Sequence, residues 1–518
     1  MNTNLRSRRS EAQLHALAEV EREIRLTDHS NRRKYLREFN QAFRSYQSIL
    51  TADQIKTQTS TADILLVGDY HALPECQRFA AKLLEERAQP SDRPVILAVE
   101  TVFSRDQHIL DEWWRRQIDE AELRQRIRFD LDWGYDWAPF YQLLVTARDH
   151  AEAIYGLDCM PREDLRKIGA RDRHAAHKLA EIRQRHPEAV VLVLFGESHL
   201  APRHLPEALR AQLPDQKILT ILQNVDALYW QAAGEAEPVD AVQVSDDVVC
   251  VFNSTPLEKY ENYRLHLSRW VRGDEGPDVA PTIYNLIDSL LRFLGFKMYS
   301  AQSNKQPKFL VDLLPEIFSD LSDARLQTLL VQETTLESEQ AVFHKKIENE
   351  GCVYLPHINA FYVREFQMMS AAEEAARCLH RACRGLPQTN AKNAADLFFT
   401  RVIECALGYF GSRVLYPARP AAEDGAGLSA AALTESLKRN DAKSAQKLGY
   451  AIGSNLYDEY LAGVLSRARL RNLFLARLDE PGIAQKLCAD LVSGRRLGRK
   501  GPYPERAMRA RNSRSRSA

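Results

Sequence analysis

The clearest pattern in the chain is a short apolar run that ends on a glycine, an acid and a histidine, and it occurs twice. Residues 64–71 read ILLVGDYH and residues 191–199 read VLVLFGESH. Short runs rich in branched side chains and closed by glycine predict buried strands entering tight turns. Two more such runs, VILAVE and AIYGLD, stop on Glu100 and Asp158. Helical segments separate them, at 77–86 and from Pro139 to about His150, and strand–helix–strand at this spacing predicts a parallel sheet. Its strands are expected to end near Val67, Val99, Leu157 and Phe195, all facing the same way. Residues just past such strand ends line the crevice where ligands bind.

Before the first strand, residues 11–50 are charged and helical in character. Tyr35, Phe39, Phe43, Tyr46 and Leu50 recur three or four apart and predict one apolar stripe on an arm docked over the sheet. Past the aromatic stretch DLDWGYDWAPFYQLL (130–144), a helix over 164–186 carries Arg171, Arg173, His174, His177 and Lys178. A solvated polar face is the simplest reading of those five. Further strands are expected at 217–222 and within 241–252, and Thr255, Pro256 and Glu258 read as a capped helix start. From about 280 to 410 the pattern turns to long apolar-periodic helices with few strand candidates. There Ser370 and Glu373 read as a capping box, with Gly385 and Pro387 stopping the helix.

This gives an α/β region with a parallel-rich sheet flanked by helices, followed by a mainly α-helical C-terminal region. The divisions are an N-terminal helical arm at 1–55, the α/β domain at 56–275 and a helical domain at 276–416. A linker with C-terminal helices follows at 417–492, and then a basic tail at 493–518 too poor in apolar mass to fold.

Composition narrows the partners more than the fold. Seventy basic and seventy acidic residues leave no net field to draw in nucleic acid. No run is long and apolar enough to span a bilayer, and no export or lipoprotein signal is visible. Eight scattered cysteines without a CxxC pair suit a reducing compartment. A cytoplasmic location is the expectation, and nothing speaks to oligomeric state. Cys378, His380 and Cys383 suggest part of a metal set, but no second cluster joins them, so helix packing explains them.

The four strand ends carry the candidate chemistry. A histidine oriented by a carboxylate works as a general base near neutral pH. Two imidazoles among several oxygens equally suit a divalent ion such as Mn, Zn or Fe. The candidate catalytic residues are His71, Glu100, Glu197 and His199; a metal set would draw on His71, Glu100, His199, Asp69 and Asp158. The rings of Trp133, Tyr135 and Trp137, with Tyr70, line a pocket or pack beneath it, and the pattern does not choose. A dinucleotide fingerprint, a P-loop and a GxSxG elbow are absent.

The same residues carry a resemblance. GDYHALPECQ at 68–77, the strand ending at Glu100, DWGYDWAPFYQLLVTARDH at 132–150 and the stretch from RDRHAAHKLAEI to VVLVLFGESHL at 171–200 resemble the ChaN domain. That domain sits in a grouping with the Tiki/TraB proteins and the erythromycin esterases, and the likeness covers roughly residues 60–255. It implies an α/β domain with its site at the strand ends. ChaN proteins are associated with haem or iron uptake. Tiki-like members are metal-dependent proteases using GxxH histidines and a glutamate, and the esterases use a histidine base with glutamates. His71 and His199 match the paired GxxH histidines and Glu100 the intervening glutamate. Asp69 stands where the pattern usually shows Glu, one methylene shorter. A haem slot would use the aromatic wall, with Tyr or His as axial ligand. The resemblance thus implies a ligand-binding domain for haem or a metal-containing ligand, or alternatively an esterase- or peptidase-type hydrolase.

Overall fold

The computed structural model describes residues 3–28, 34–89, 93–160, 168–273, 276–296, 314–384, 394–422, 441–478 and 480–493, with Glu435 and Lys438. The expected basic tail from 494 onward, the 423–427 part of the linker, and Gly385 and Pro387 lie outside these residues. The chain divides into two compact units. One is Leu17–Pro277 with Met1–Arg6, and the other is Asp278–Ala518 with Ser7–Ala16.

In the first unit the strands are β1 (Ser48–Ile49), β2 (Ile64–Asp69), β3 (Val95–Phe103), β4 (Ala153–Asp158), β5 (Val190–Gly196), β6 (Ile218–Gln223), β7 (Ala241–Ser245) and β8 (Val248–Val251). They form one eight-stranded sheet in the order β1-β7-β8-β6-β2-β5-β3-β4. From β8 across to β4 every pairing is parallel, and only β7 runs against its neighbours. The central strands are apolar throughout because helices cover both faces. Ile64 and Leu66 of β2 enter one core with Val191 and Val193 of β5, while Leu65 and Val67 enter the other with Leu192 and Leu194. The expected strand ends at Val67, Leu157 and Phe195 fall within two residues of the observed ends; β3 runs on past Val99 to Phe103.

β5 is last of these three in sequence yet lies between β2 and β3, so the carboxyl ends of three strands from distant parts of the chain meet. Register sets their depth: Asp69 of β2 pairs with Gly196 of β5, and Val99 of β3 pairs with Leu194. Glu100 therefore emerges beside Gly196. Helix Pro74–Ala88 begins with proline in its first turn, which carries the chain sharply off the end of β2.

The N-terminal stripe differs from expectation. A helix at Lys34–Ala42 holds Tyr35 and Phe39 buried, but the chain is no longer helical by Tyr46. The Gln47 and Leu50 amides bond to Gln243 and Ala241, pairing β1 with β7. Phe39 and Phe43 enter one sheet core and Leu50 the other, so the three-and-four spacing spans two structures.

The second unit is largely helical, built around Met368–Arg384, Ala394–Leu415 and Ala442–Leu461. Ser370 lies inside the first of these rather than capping it. A small sheet was not anticipated: β9 (Glu316–Ser319), β10 (Cys352–Leu355) and β11 (Ala360–Val363), in the order β10-β11-β9. CVYL and AFYV flanking PHIN are a hairpin signal, but four residues are too few to stand out among long helices.

Candidate functional site

At the end of β2, Asp69 accepts a hydrogen bond from His71 Nδ1 at 2.8 Å and another from the Gln77 amide on the following helix. A carboxylate only accepts, so the His71 proton sits on Nδ1 and Nε2 faces inward. Nε2 lies 3.9 Å from Glu100 Oε2. A second pair mirrors this one: His199 Nδ1 donates to Asp172 Oδ1 at 2.5 Å, and its Nε2 lies 3.6 Å from Glu100 Oε1. Two imidazoles, each held through Nδ1 by its own aspartate, thus present Nε2 to one glutamate.

Glu100 is tightly anchored. Its Oε2 accepts the Gly196 amide at 2.6 Å, and its Oε1 accepts Arg171 Nη2 at 2.5 Å. Arg171 also bonds both oxygens of Asp158, at 2.8 and 2.9 Å. Burial alone would raise the Glu100 pKa, but His199, Arg171, His71 and the Gly196 amide outweigh it and hold the carboxyl below the usual range. Gly196 leaves little room here: a Cβ on it would stand 3.0 Å from Glu100 Oε2 and 3.2 Å from His71 Nε2, a tight approach that would press on both side chains. The centre is buried on most sides, with Arg171 and His199 each 5 % exposed in their side chains, and His71 opens furthest at 23 %.

The predicted residues separate into groups. His71, Glu100 and His199 come together, with Asp69 directly behind. Asp158 reaches the cluster through Arg171 rather than through an imidazole. Glu197 is held by Lys259 Nζ at 2.9 and 3.1 Å, and His71 is near enough to act on its charge. Burial foremost raises the Glu197 pKa, with Lys259 pulling the other way. Tyr70 joins this pair, its ring 4.5 Å from Lys259 Nζ. Trp133 and Tyr135 flank His71, with centroids at 4.3 and 5.2 Å. Trp137 does not join them: it packs on Phe129 and Phe140 and donates its indole N–H to Glu120.

The metal set meets a physical obstacle. Among the described residues no group of three or more His, Cys, Asp or Glu side chains is arranged to hold a metal ion. Glu100 and Asp158, two of the five candidate ligands, converge on a guanidinium, and Asp69 is taken by His71 and Gln77.

Arg171, Asp172 and Lys259 are the site residues that sequence reasoning missed. Arg171 was grouped with a solvated face and is buried. Its signal was the adjacent pair Arg171–Asp172, which reaches two partners at once from one turn of helix.

Residues 55–181 match the model of a family described as haem-binding uptake, Tiki superfamily, ChaN. The N-terminal unit therefore carries a ChaN-like domain, and the matched span includes His71, Glu100, Asp158, Arg171 and Asp172. A solved structure, "Cofacial heme binding to ChaN of Campylobacter jejuni", is similar at 13 % identity over 40 % of this chain and 98 % of that chain, with a TM-score of 0.27. That likeness is too slight to carry an argument about the site. No curated protein matches the chain. Among the described residues no helix is long and apolar enough to cross a membrane.

Proposed function

We propose that the ChaN-like domain is a histidine–carboxylate acid–base centre that hydrolyses an ester or peptide bond, with His71 as general base. The observation that carries this reading is the pair of aspartate-held imidazoles converging on Glu100. His71 Nε2 takes a proton from water as the water oxygen adds to the substrate carbonyl carbon. The imidazolium so formed is stabilised by Asp69, and the proton then passes to the leaving group as its bond to carbon breaks. His199 and Arg171 are too buried to receive a substrate and act on Glu100, fixing its position. The aromatic pair Trp133 and Tyr135 forms the wall beside the reacting group.

The family description speaks of haem, so the test has two arms. Purified protein is assayed on a panel of activated esters and fluorogenic peptides and, separately, titrated with haemin. The proposal expects turnover on one of the panels that His71→Ala lowers by about 10²–10⁴-fold, the usual worth of a positioned base. No turnover together with a stoichiometric Soret band would overturn it in favour of haem binding.

A further inference from the structure

The helix Lys34–Ala42 lies ahead of the matched residues 55–181, yet it supplies a side chain to the back of the site. Phe39 seats the helix in the sheet core, and Tyr35, one turn earlier, comes down beside the turn that bears His199. The Tyr35 hydroxyl lies 3.3 and 3.2 Å from the two Asp172 oxygens. Asp172 is the same carboxylate that holds His199 Nδ1 at 2.5 Å. The Tyr35 ring meets His199 edge-on, with centroids 5.1 Å apart, and lies against His204 at 4.0 Å. Burial first, then the charges of Asp172 and Glu100, push the phenol pKa far above its ordinary value, so the hydroxyl keeps its proton and donates. Asp172 therefore accepts from two elements at once.

We propose that Tyr35 is a positioning residue that acts on His199 through Asp172, so that the segment ahead of the ChaN-like domain is part of the working site. Apart from Tyr35, Asp172 is held closely by the His199 imidazole, with His204 Nδ1 standing 3.7 Å from its other oxygen, beyond hydrogen-bond length, so the carboxylate keeps freedom to turn about its Cβ–Cγ bond. A second donor from a different element pins it, and with it the ring whose Nε2 faces Glu100. The proposal rests on the acid–base reading for its effect on turnover, while its effect on His199 is read without substrate.

The test uses the full chain with ¹⁵N-labelled histidine at one fixed neutral pH. In Tyr35→Phe the ring remains but Asp172 no longer shares its charge, so the His199 Nδ1 proton moves to lower field. With 3-fluorotyrosine at position 35, a stronger donor, the same signal moves to higher field. In an active wild-type background, Tyr35→Phe lowers kcat by about tenfold, the scale of a small misplacement of a catalytic group, with KM unchanged. A His199 signal that stays fixed in both proteins overturns the proposal, as does an unchanged kcat. If Tyr35→Phe does not fold, the fluorotyrosine protein decides, because it alters only the donor strength. A wild-type chain without hydrolytic turnover counts against the acid–base reading alone, and the paired shifts still decide for or against Tyr35.

Discussion

Each of the two units buries a cluster of charges, and the clusters are built from different residues. In the first, Glu100 and Arg171 support two imidazoles. In the second, Glu373 accepts from Arg419 at 2.8 Å, from Arg377 at 3.1 Å and from the Tyr450 hydroxyl at 3.0 and 2.9 Å. Next to it, Glu374 receives Lys346 at 2.5 Å and the Tyr354 amide at 2.7 Å. Burial would raise the Glu373 pKa, but Arg419, Lys346 and Arg377 outweigh it and hold the carboxyl below its usual range. Glu373 is held ionised, and Arg419, Arg377 and Lys346 are held charged across the physiological range, so this network pins helices together. An imidazole changes charge near neutrality, and His71 and His199 bring two of them to the first cluster. Burying charge is costly in both places. On the proposed reading the contrast lies in what each cluster does with it: cohesion in one, a group able to take up a proton in the other.

Substitutions at matching points break this contrast most sharply. His71→Ala should cost about 10²–10⁴ in hydrolytic rate and lower the denaturation midpoint only modestly, since the ring is 23 % exposed and buried Asp69 keeps the Gln77 amide as a donor. Glu373→Ala should do the reverse. It leaves the buried Arg419 beside a missing partner, and removing one member of a buried pair costs about 3–5 kcal/mol, read by denaturant unfolding, while the rate per folded molecule holds. A Glu373→Ala protein of normal stability would erase the comparison.

A smaller effect sharpens it through pH. Burial first, then Arg269 and His71, lower the His266 pKa from 6.5 to about 4. The unfolded chain then binds a proton before the folded one, so stability falls as pH drops from about 6.5 and levels off below about 4. The loss is up to about 3 kcal/mol at 1.36 kcal/mol per unit. Glu373 follows the opposite rule for a lowered acid. Its contribution is fully present above the ordinary 4.5 and is lost only as pH falls below that. Calorimetry across pH 7 to 4 should show the first unit weakening before the second, and His266→Phe should remove most of that early loss.

What the sequence made legible follows from how local each signal is. A strand that ends on Gly-acid-x-His announces itself within nine residues, so β2, β5, His71 and His199 were readable, and Glu100 was readable as the carboxylate that closes the apolar run VILAVE. Partners joined only by the fold were not. Arg171 meets Glu100 across 71 positions, and Tyr35 meets Asp172 across 137. On an amphipathic helix, an arginine reads as solvated unless its carboxylate is already known. Glu197 shows the converse: its motif was legible, but its bond to Lys259, 62 residues on, was not.

The central claim is that the first cluster moves protons through its own side chains, with the Arg171 guanidinium as the cation among its carboxylates. The most direct measurement is the hydrolytic rate of the purified protein after exhaustive chelation and after adding back Mn, Zn or Fe. The account predicts a rate that survives chelation, gains nothing from the metals and disappears in His71→Ala. A rate abolished by chelation and restored by one of those ions would contradict it.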